Sequence, residues 1–334
     1  MPLDLVVPDL LPAADAPAAM RELRLPWVER WLVRAERQRI PLRGLNAWLA
    51  RAFSLPDPPP VAAVTLAADD KPAPGTWLRA DPVHFRIAGD ALTLHDAAAL
   101  DVTAEEAGQL IAALRSHFAA DGIELYAPVP DRWYARVPEG EVPRTTALED
   151  AVGRNVFGLL PRGSGRINWG AAITEAQMVL AAQPANSERE AAGKPPINSV
   201  WFWGEGAAPA RVASPYALAY ASDPFAIGLA RLAGIRALPP AASLDRVDAV
   251  RPEEWVLAVD DRLTAAVRVG DEGRWIEAAR ALDESWFARL AEAAERFDGM
   301  RLVLPGPRDT LVATISPRAR WRWFRKRKAL ATHA

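Results

Sequence analysis

The chain has 334 residues, half of them hydrophobic and a quarter charged, and a net charge of −2; that size suits one large α/β domain or two smaller ones. It contains no cysteine, which excludes disulfides, thiolate zinc sites and a cysteine nucleophile. No apolar run approaches the roughly 18 residues that span a bilayer, and the opening "MPLDLVVPDLLP" lacks the basic region of a secretory signal, so a cytoplasmic location is expected.

In chain order, "LDLVVPD" (3–9) is a short aliphatic run ending in Pro-Asp and predicts a buried strand. Residues 17–38 predict a helix with Trp27, Trp31 and Ala35 on one face, restarted at Pro26. "FSLPDPPP" (53–60) is a loop, "VAAVTLA" (61–67) predicts a strand, and "DDKPAPG" (69–75) a linker. Residues 77–96 predict paired strands around a Gly-Asp turn. Over 103–122 the spacing predicts a helix, with Thr103 and Glu106 at capping-box positions and Gly122 at its end. Strands follow over 123–137 and a helix over 167–183, so 77–183 forms a compact α+β unit.

From residue 198 strands alternate with helices. Strands are expected at 199–203, 216–222, 235–238, 254–261, 300–305 and 311–315. Asp223 caps a helix with Pro224 in its first turn, Gly234 ends it, and 272–297 is largely helical. This alternation predicts a mostly parallel sheet covered on both faces. The chain ends on "RARWRWFRKRK" (318–328), which carries seven positive charges and no acid, leaving −9 on the rest of a chain whose total is −2. Arg318, Arg320, Trp321, Arg322, Trp323, Phe324, Arg325, Lys326, Arg327 and Lys328 suit an anionic lipid surface, RNA or an acidic partner. A solvated tail, or one docked on the acidic body, is the plainer reading.

The stretch "QPANSEREAAGKPPINSVWFWGEGAAP" (183–209) resembles the central signature of archaeal-type, cofactor-independent phosphoglycerate mutases of the alkaline phosphatase superfamily. Asn186, Arg189, Gly193, Lys194, Pro196, Asn198, Trp201, Trp203, Gly204 and Gly206 keep that signature's spacing. Within it, "NSVWFWG" (198–204) is similar to a stretch in proteobacterial RpfE-type regulatory proteins. Weaker resemblance extends to most of the chain. It implies a three-layer α/β/α sandwich with a mostly parallel, alkaline-phosphatase-like sheet. Residues 1–76 and 184–317 would form that core, an α+β lid over 77–183 would be inserted in it, and 318–334 would be the tail.

In the family the resemblance implies, a serine attacks a phosphomonoester between two divalent metals held by aspartates and histidines. Asp9 stands at the first metal aspartate. The nucleophile position falls within "DPPP" (57–60), which has no hydroxyl. Counting back from Gly270-Asp271, another metal aspartate falls on Thr264 and a histidine on Arg268. The late Asp-His pair falls on Gly306-Pro307. The four histidines are His84, His95, His117 and His333, so that core holds none. Carboxylates alone would have to bind Mg or Mn, and Asp9, Asp69, Asp223, Asp260, Asp261 and Asp271 are the weak candidates. Capping and solvation are their bland roles.

Ligand-binding candidates are Arg189 and Lys194, which could reach a phosphate, and Asn198 and Glu205, which flank the strand 199–203. Arg268 and Arg308 stand where metal ligands are missing and could balance acids or bind an anion. His84 and Arg86 share a face of the lid strands, next to Arg79, Asp81 and the run "RWYAR" (132–136). Gly163 and Gly165 before a helix could cradle an anion. Trp201 and Trp203 are either buried aromatics or a stacking platform.

Together these readings point to a catalytically inactive phosphoglycerate-mutase-like protein with no cofactor. It would act by binding a protein partner or a phosphorylated small molecule, as a regulator or scaffold. The alternatives are an active or repurposed Mg- or Mn-dependent mutase or phosphotransfer enzyme, and a membrane- or nucleic-acid-associating protein led by its tail.

Overall fold

The computed structural model describes residues 2–12, 15–70, 74–89, 91–243, 246–247, 251, 253–289, 297, 299–315 and 328–333. The first part of the chain gives β1 (Pro2–Val6), α1 (Ala18–Glu22), α2 (Pro26–Arg34), β2 (Glu36–Ile40) and α3 (Gly44–Ala52). The middle gives α4 (Val61–Asp69), β3 (Thr76–Ala88), β4 (Ala91–His95), α5 (Ala104–Phe118), β5 (Glu124–Val129), β6 (Arg132–Val137), α6 (Leu148–Ala151), α7 (Trp169–Ala181), α8 (Pro184–Ala191) and β7 (Ser199–Ala207). The last part gives β8 (Tyr216–Tyr220), α9 (Pro224–Leu232), β9 (Arg236–Leu238), β10 (Trp255–Val259), α10 (Thr264–Val269), α11 (Glu272–Ser285), β11 (Gly299–Pro305) and β12 (Thr310–Ile315).

These elements sort into two compact units. Residues 1–58 and 211–334 make the first, and 59–210 the second. The first carries a seven-stranded sheet in the order β2-β12-β11-β1-β10-β8-β9. β11, β1, β10, β8 and β9 run parallel, and β12 and β2 close one side antiparallel. The fold is thus the mixed α/β class with a mostly parallel sheet that the alternation predicts.

β1 is buried on both faces, as a central strand of a covered sheet must be. Leu3 and Leu5 meet Val28 and Leu32 of α2 and Trp275, Ala279 and Leu282 of α11 in one core. Full burial of each such side chain contributes about 1.5–3 kcal/mol. The polar residue on this strand, Asp4, is fully buried and tolerated because Arg301 grips it bidentately and the Tyr216 hydroxyl donates to it at 2.7 Å.

The second unit is built on an antiparallel sheet, β4-β3-β6-β5, with β7 paired to β3 on its other side. Expectation and structure part at four places here and in the first unit. The segment 61–67 is helix α4, not a strand. It is buried on every side, so it shows no helical stripe, and a short apolar run alone does not separate the two states. The strand at 199–203 extends to Ala207 and pairs antiparallel with β3 rather than joining the parallel sheet. The compact unit accordingly runs from Pro59 to Ala210, wider at both ends than 77–183. Finally, the helix expected over 17–38 is split: Ala35 turns the chain into strand β2, and Trp27 is exposed while Val28, Trp31 and Leu32 are buried.

Local signals hold well elsewhere. Thr103 and Glu106 form a reciprocal capping box on α5. Asp223 caps α9 through the Ala226 N–H at 2.8 Å, and Gly234 follows that helix in the left-handed conformation.

Candidate functional site

In the first unit, acidic and polar side chains gather where β1, β8 and β10 end, the carboxyl edge at which parallel sheets bind ligands. Asp9 follows β1 with a φ of 61°, a left-handed backbone uncommon outside glycine. Its Oδ2 accepts the Thr264 hydroxyl at 2.7 Å, and its carbonyl accepts the Trp275 indole N–H at 2.9 Å. Burial pushes the Asp9 carboxyl above its ordinary pKa, against the Thr264 hydrogen bond and the Arg268 charge. Asp223, after β8, is pushed up to about 6. Burial is the main cause and Asp261 adds to it, while the Ala226 N–H and Arg268 oppose. Asp261, after β10, accepts the Ser222 hydroxyl at 2.6 Å.

Thr264 and Arg268 are the two positions where the resemblance expects a metal-binding aspartate and histidine. One now supplies a hydroxyl donor to Asp9, and the other a cation that acts on both Asp9 and Asp223. The remaining metal candidates have other occupations. Asp260 is held by Arg262 through two bonds, at 2.7 and 2.6 Å, and by the Trp286 N–H. Asp271 caps α11 through the Arg274 N–H. Asp69 lies in the second unit, paired with Arg132 and the Tyr134 hydroxyl. The donors seen on Asp9, Asp261 and Asp223 are the hydroxyls of Thr264 and Ser222 and the Ala226 N–H, and among the described residues no three His, Asp or Glu are grouped to hold a metal ion. Arg308 is exposed in the β11–β12 turn.

The signature residues of the second unit are clamps on its own backbone. Asn186 holds the Leu180 carbonyl and both backbone groups of Ile197. Arg189 is buried and donates to the Pro195 and Leu100 carbonyls and to Glu106. Asn198 bridges the N–H and carbonyl of Phe85 at 2.7 and 2.9 Å. Lys194 pairs with Asp101 at 3.2 Å, and Glu205 accepts the Thr145 hydroxyl. His84 donates from Nδ1 to the Pro196 carbonyl, and burial holds its pKa below the ordinary value. Arg86 is exposed on the same strand.

The aromatic run has a clear structural place. Trp201 donates to the Thr146 carbonyl, Phe202 meets Trp169 edge to face, and Trp203 donates to Asp81 at 2.7 Å. Asp81 is also paired with Arg79, whose guanidinium lies over the rings of Tyr134 and Trp203. The two glycines after the run are steric. A Cβ at Gly206 would stand 2.5 Å from Pro60 Cβ, and one at Gly204 would stand 2.9 Å from Val61 Cβ. They let the start of α4 pass directly over β7. The cradle at Gly163–Gly165 is filled by the chain's own Glu141, which accepts the Ile167 N–H at 2.9 Å. Backbone N–H groups of Ile167 and Arg166 hold that carboxyl below its ordinary pKa.

Sequence reading passed over Ser222. Its signal is position: it lies two residues after the parallel strand β8 and just before the capping Asp223. In the basic tail, 318–327 lie outside the described residues, and Lys328 is exposed. Among the described residues no helix is long and apolar enough to cross a membrane.

No protein-family model matches the chain. It is 31% identical over 140 residues to the 2,3-bisphosphoglycerate-independent phosphoglycerate mutase of Methanosarcina mazei, covering 40% of this chain and 35% of that one. A probable mutase of the same kind from Geobacter sulfurreducens is 31% identical over 124 residues, 37% of this chain and 31% of that one. The matches thus span about a third of these relatives' length. Among solved structures, the PH0037 protein from Pyrococcus horikoshii is similar over 99% of this chain and 92% of its own, with a TM-score of 0.54 at 13% identity. The cofactor-independent phosphoglycerate mutase of Thermoplasma acidophilum covers 95% of this chain and 89% of its own, with a TM-score of 0.45 at 13% identity. The fold is shared with PH0037, and cofactor-independent phosphoglycerate mutases are distant homologues of this chain.

Proposed function

We propose that this chain is a phosphoglycerate-mutase-like protein that has lost two-metal catalysis and works by binding, as a regulator or scaffold. The carrying observation is the Thr264 hydroxyl on Asp9 at 2.7 Å, with the Arg268 cation acting on the same carboxylate. A hydroxyl occupies Asp9 where a metal ion would otherwise sit, and an arginine stands where the resemblance expects a histidine ligand. The prolines at 58–60 support the same reading, because they leave no hydroxyl at the nucleophile position. The regulatory part rests on the resemblance of the 198–204 stretch alone.

Metal stoichiometry with a mutase assay tests this. After dialysis against Mn²⁺ and removal of free ion, the full chain is expected to retain none and to leave 3-phosphoglycerate unconverted. Two retained ions, with conversion that disappears in Asp9→Asn, would sink the proposal.

One observation favours a second reading, a repurposed phosphotransfer enzyme. Ser222 is exposed and hydrogen-bonded to the Asp261 carboxylate at the same sheet edge, a hydroxyl–base pairing that nucleophilic catalysis can use. Turnover of a phosphomonoester that is lost in Ser222→Ala would select it.

A further inference from the structure

Two histidines stand opposite each other on a strand pair of the second unit. His84 of β3 and His95 of β4 are directly opposed in the antiparallel register, so their side chains leave the same face of the sheet. Their ring centres are 6.2 Å apart. Both residues are half-buried, and neither has a ring nitrogen that is buried without a partner.

The hydrogen bonding of His84 decides which nitrogen is available. Nδ1 is 2.8 Å from the Pro196 carbonyl. A carbonyl only accepts, so Nδ1 carries the proton, and in the neutral ring Nε2 carries a lone pair. Burial first, then His95, Arg86 and Arg189, hold the pKa below 6.5 against the Pro196 bond, so the ring is neutral at pH 7. The sheet sets the direction of that lone pair. Asn198, just before β7, takes both the N–H and the carbonyl of Phe85, so one edge of β3 is turned to β7 and the opposite edge pairs with β4. Pro196 lies on the β7 side and His95 on the β4 side. With Nδ1 turned to the first, Nε2, across the ring, is turned to the second. Among the described residues the His95 side chain makes no hydrogen bond. Of the nearby cations, Arg189 is offset by Glu106 at 2.9 Å, and Arg86 is exposed.

We propose that His84 and His95 chelate one divalent transition-metal ion of the imidazole-preferring kind, zinc or copper, with water on its open positions. An ion about 2.0–2.1 Å from each ring nitrogen holds two ring centres roughly 5–6 Å apart, so small side-chain rotations close the pair on it. The Nδ1–Pro196 bond is the outer contact by which metal-binding histidines fix ring and tautomer. Two neutral imidazoles, joined by no third His, Asp or Glu among the described residues, select against Mg²⁺, Ca²⁺ and Mn²⁺, which prefer oxygen ligands. Retention of Mn²⁺ therefore reports on the Asp9 edge alone, and the histidine pair stands or falls separately.

The test uses the full, untagged chain with ¹⁵N-labelled histidine, Zn²⁺ as probe and Mg²⁺ as control. His84→Gln and His95→Gln assign the two signals among the four histidines. The expected result is a saturable shift of ring nitrogens in both residues, complete at one ion per chain, and none with Mg²⁺. Zn²⁺ affinity by calorimetry should fall about tenfold or more in each variant and stay unchanged in His117→Gln, whose ring pairs with Glu175. A shift at one of the two residues alone, a response that does not saturate, an equal response to Mg²⁺, or undiminished affinity in either variant overturns the proposal. A measurement on the unaltered protein guards against a variant that merely disturbs the strand pair. Saturating Zn²⁺ should slow amide hydrogen exchange along β3 and β4, since an ion that binds the paired strands stabilises them, and unchanged exchange also overturns the proposal.

Discussion

Asp223 does two things that conflict at neutral pH. Its side chain caps α9, which favours an acceptor oxygen, and it sits beside Asp261, which disfavours a second charge. Its pKa in the folded chain is about 6 against 3.8 for the free side chain. The folded state therefore binds this proton more tightly, and the resulting stability is full below pH 3.8 and lost as pH rises through 6. An asparagine side chain at this position would keep the cap without ionising. Asp223→Asn is expected to match the parent near pH 3.5, gain through pH 4–6, and level off above pH 7 at roughly 2–3 kcal/mol. Urea unfolding of both proteins across that range checks it, and a difference flat with pH would refute it. The cap itself was legible, because a capping residue and its helix are neighbours in sequence. The partners of Arg189 were not: Leu100 and Glu106 lie 89 and 83 residues away, and nothing local announces that an arginine will be buried. The same applies to Thr264 on Asp9, 255 residues apart.

At the scale of elements, the clearest long-range device is the start of α2. The helix begins at Pro26 and has no side-chain cap of its own. Asp283 of α11 supplies one across space, accepting the N–H groups of Trp27 at 3.1 Å and Val28 at 2.8 Å. Asp283→Ala should destabilise the protein by about 1–2 kcal/mol, the usual size of a lost cap. Hydrogen exchange should locate the loss in the first turn of α2, and protection unchanged there would count against the assignment. Elements with a wet face were readable from their pattern, as α5 shows with its buried Leu110, Ile111, Leu114 and Phe118. α4 was not, because a segment enclosed on all sides has no polar face to mark its period. β7 has the sequence of a buried strand but pairs antiparallel with β3, outside the parallel sheet. Its neighbour is decided by which residues β3 offers for pairing, and one strand's sequence does not carry that information.

On the scale of the whole molecule, the second unit is one unbroken stretch of chain and the first is made from two. Residues 59–210 have their own sheet and bury Trp133, Trp169, Trp201 and Phe202. Expressed alone, that stretch is expected to unfold cooperatively in urea with a single tryptophan fluorescence transition; a gradual, non-cooperative change would mean the two units depend on each other. The insertion was visible as a change of texture in the sequence, while its edges were not, because α4 and β7 read as members of the parallel sheet. The first unit's sheet carries a further consequence, one of timing. β1 leaves the ribosome long before both its neighbours, β10 and β11: Val6 pairs with Val259 on one side and Val303 on the other. At about 5–20 residues per second, this aliphatic strand waits on the order of 15–60 seconds for its second partner. The inserted unit can complete itself during that wait, and the exposed strand is where a chaperone would find its client.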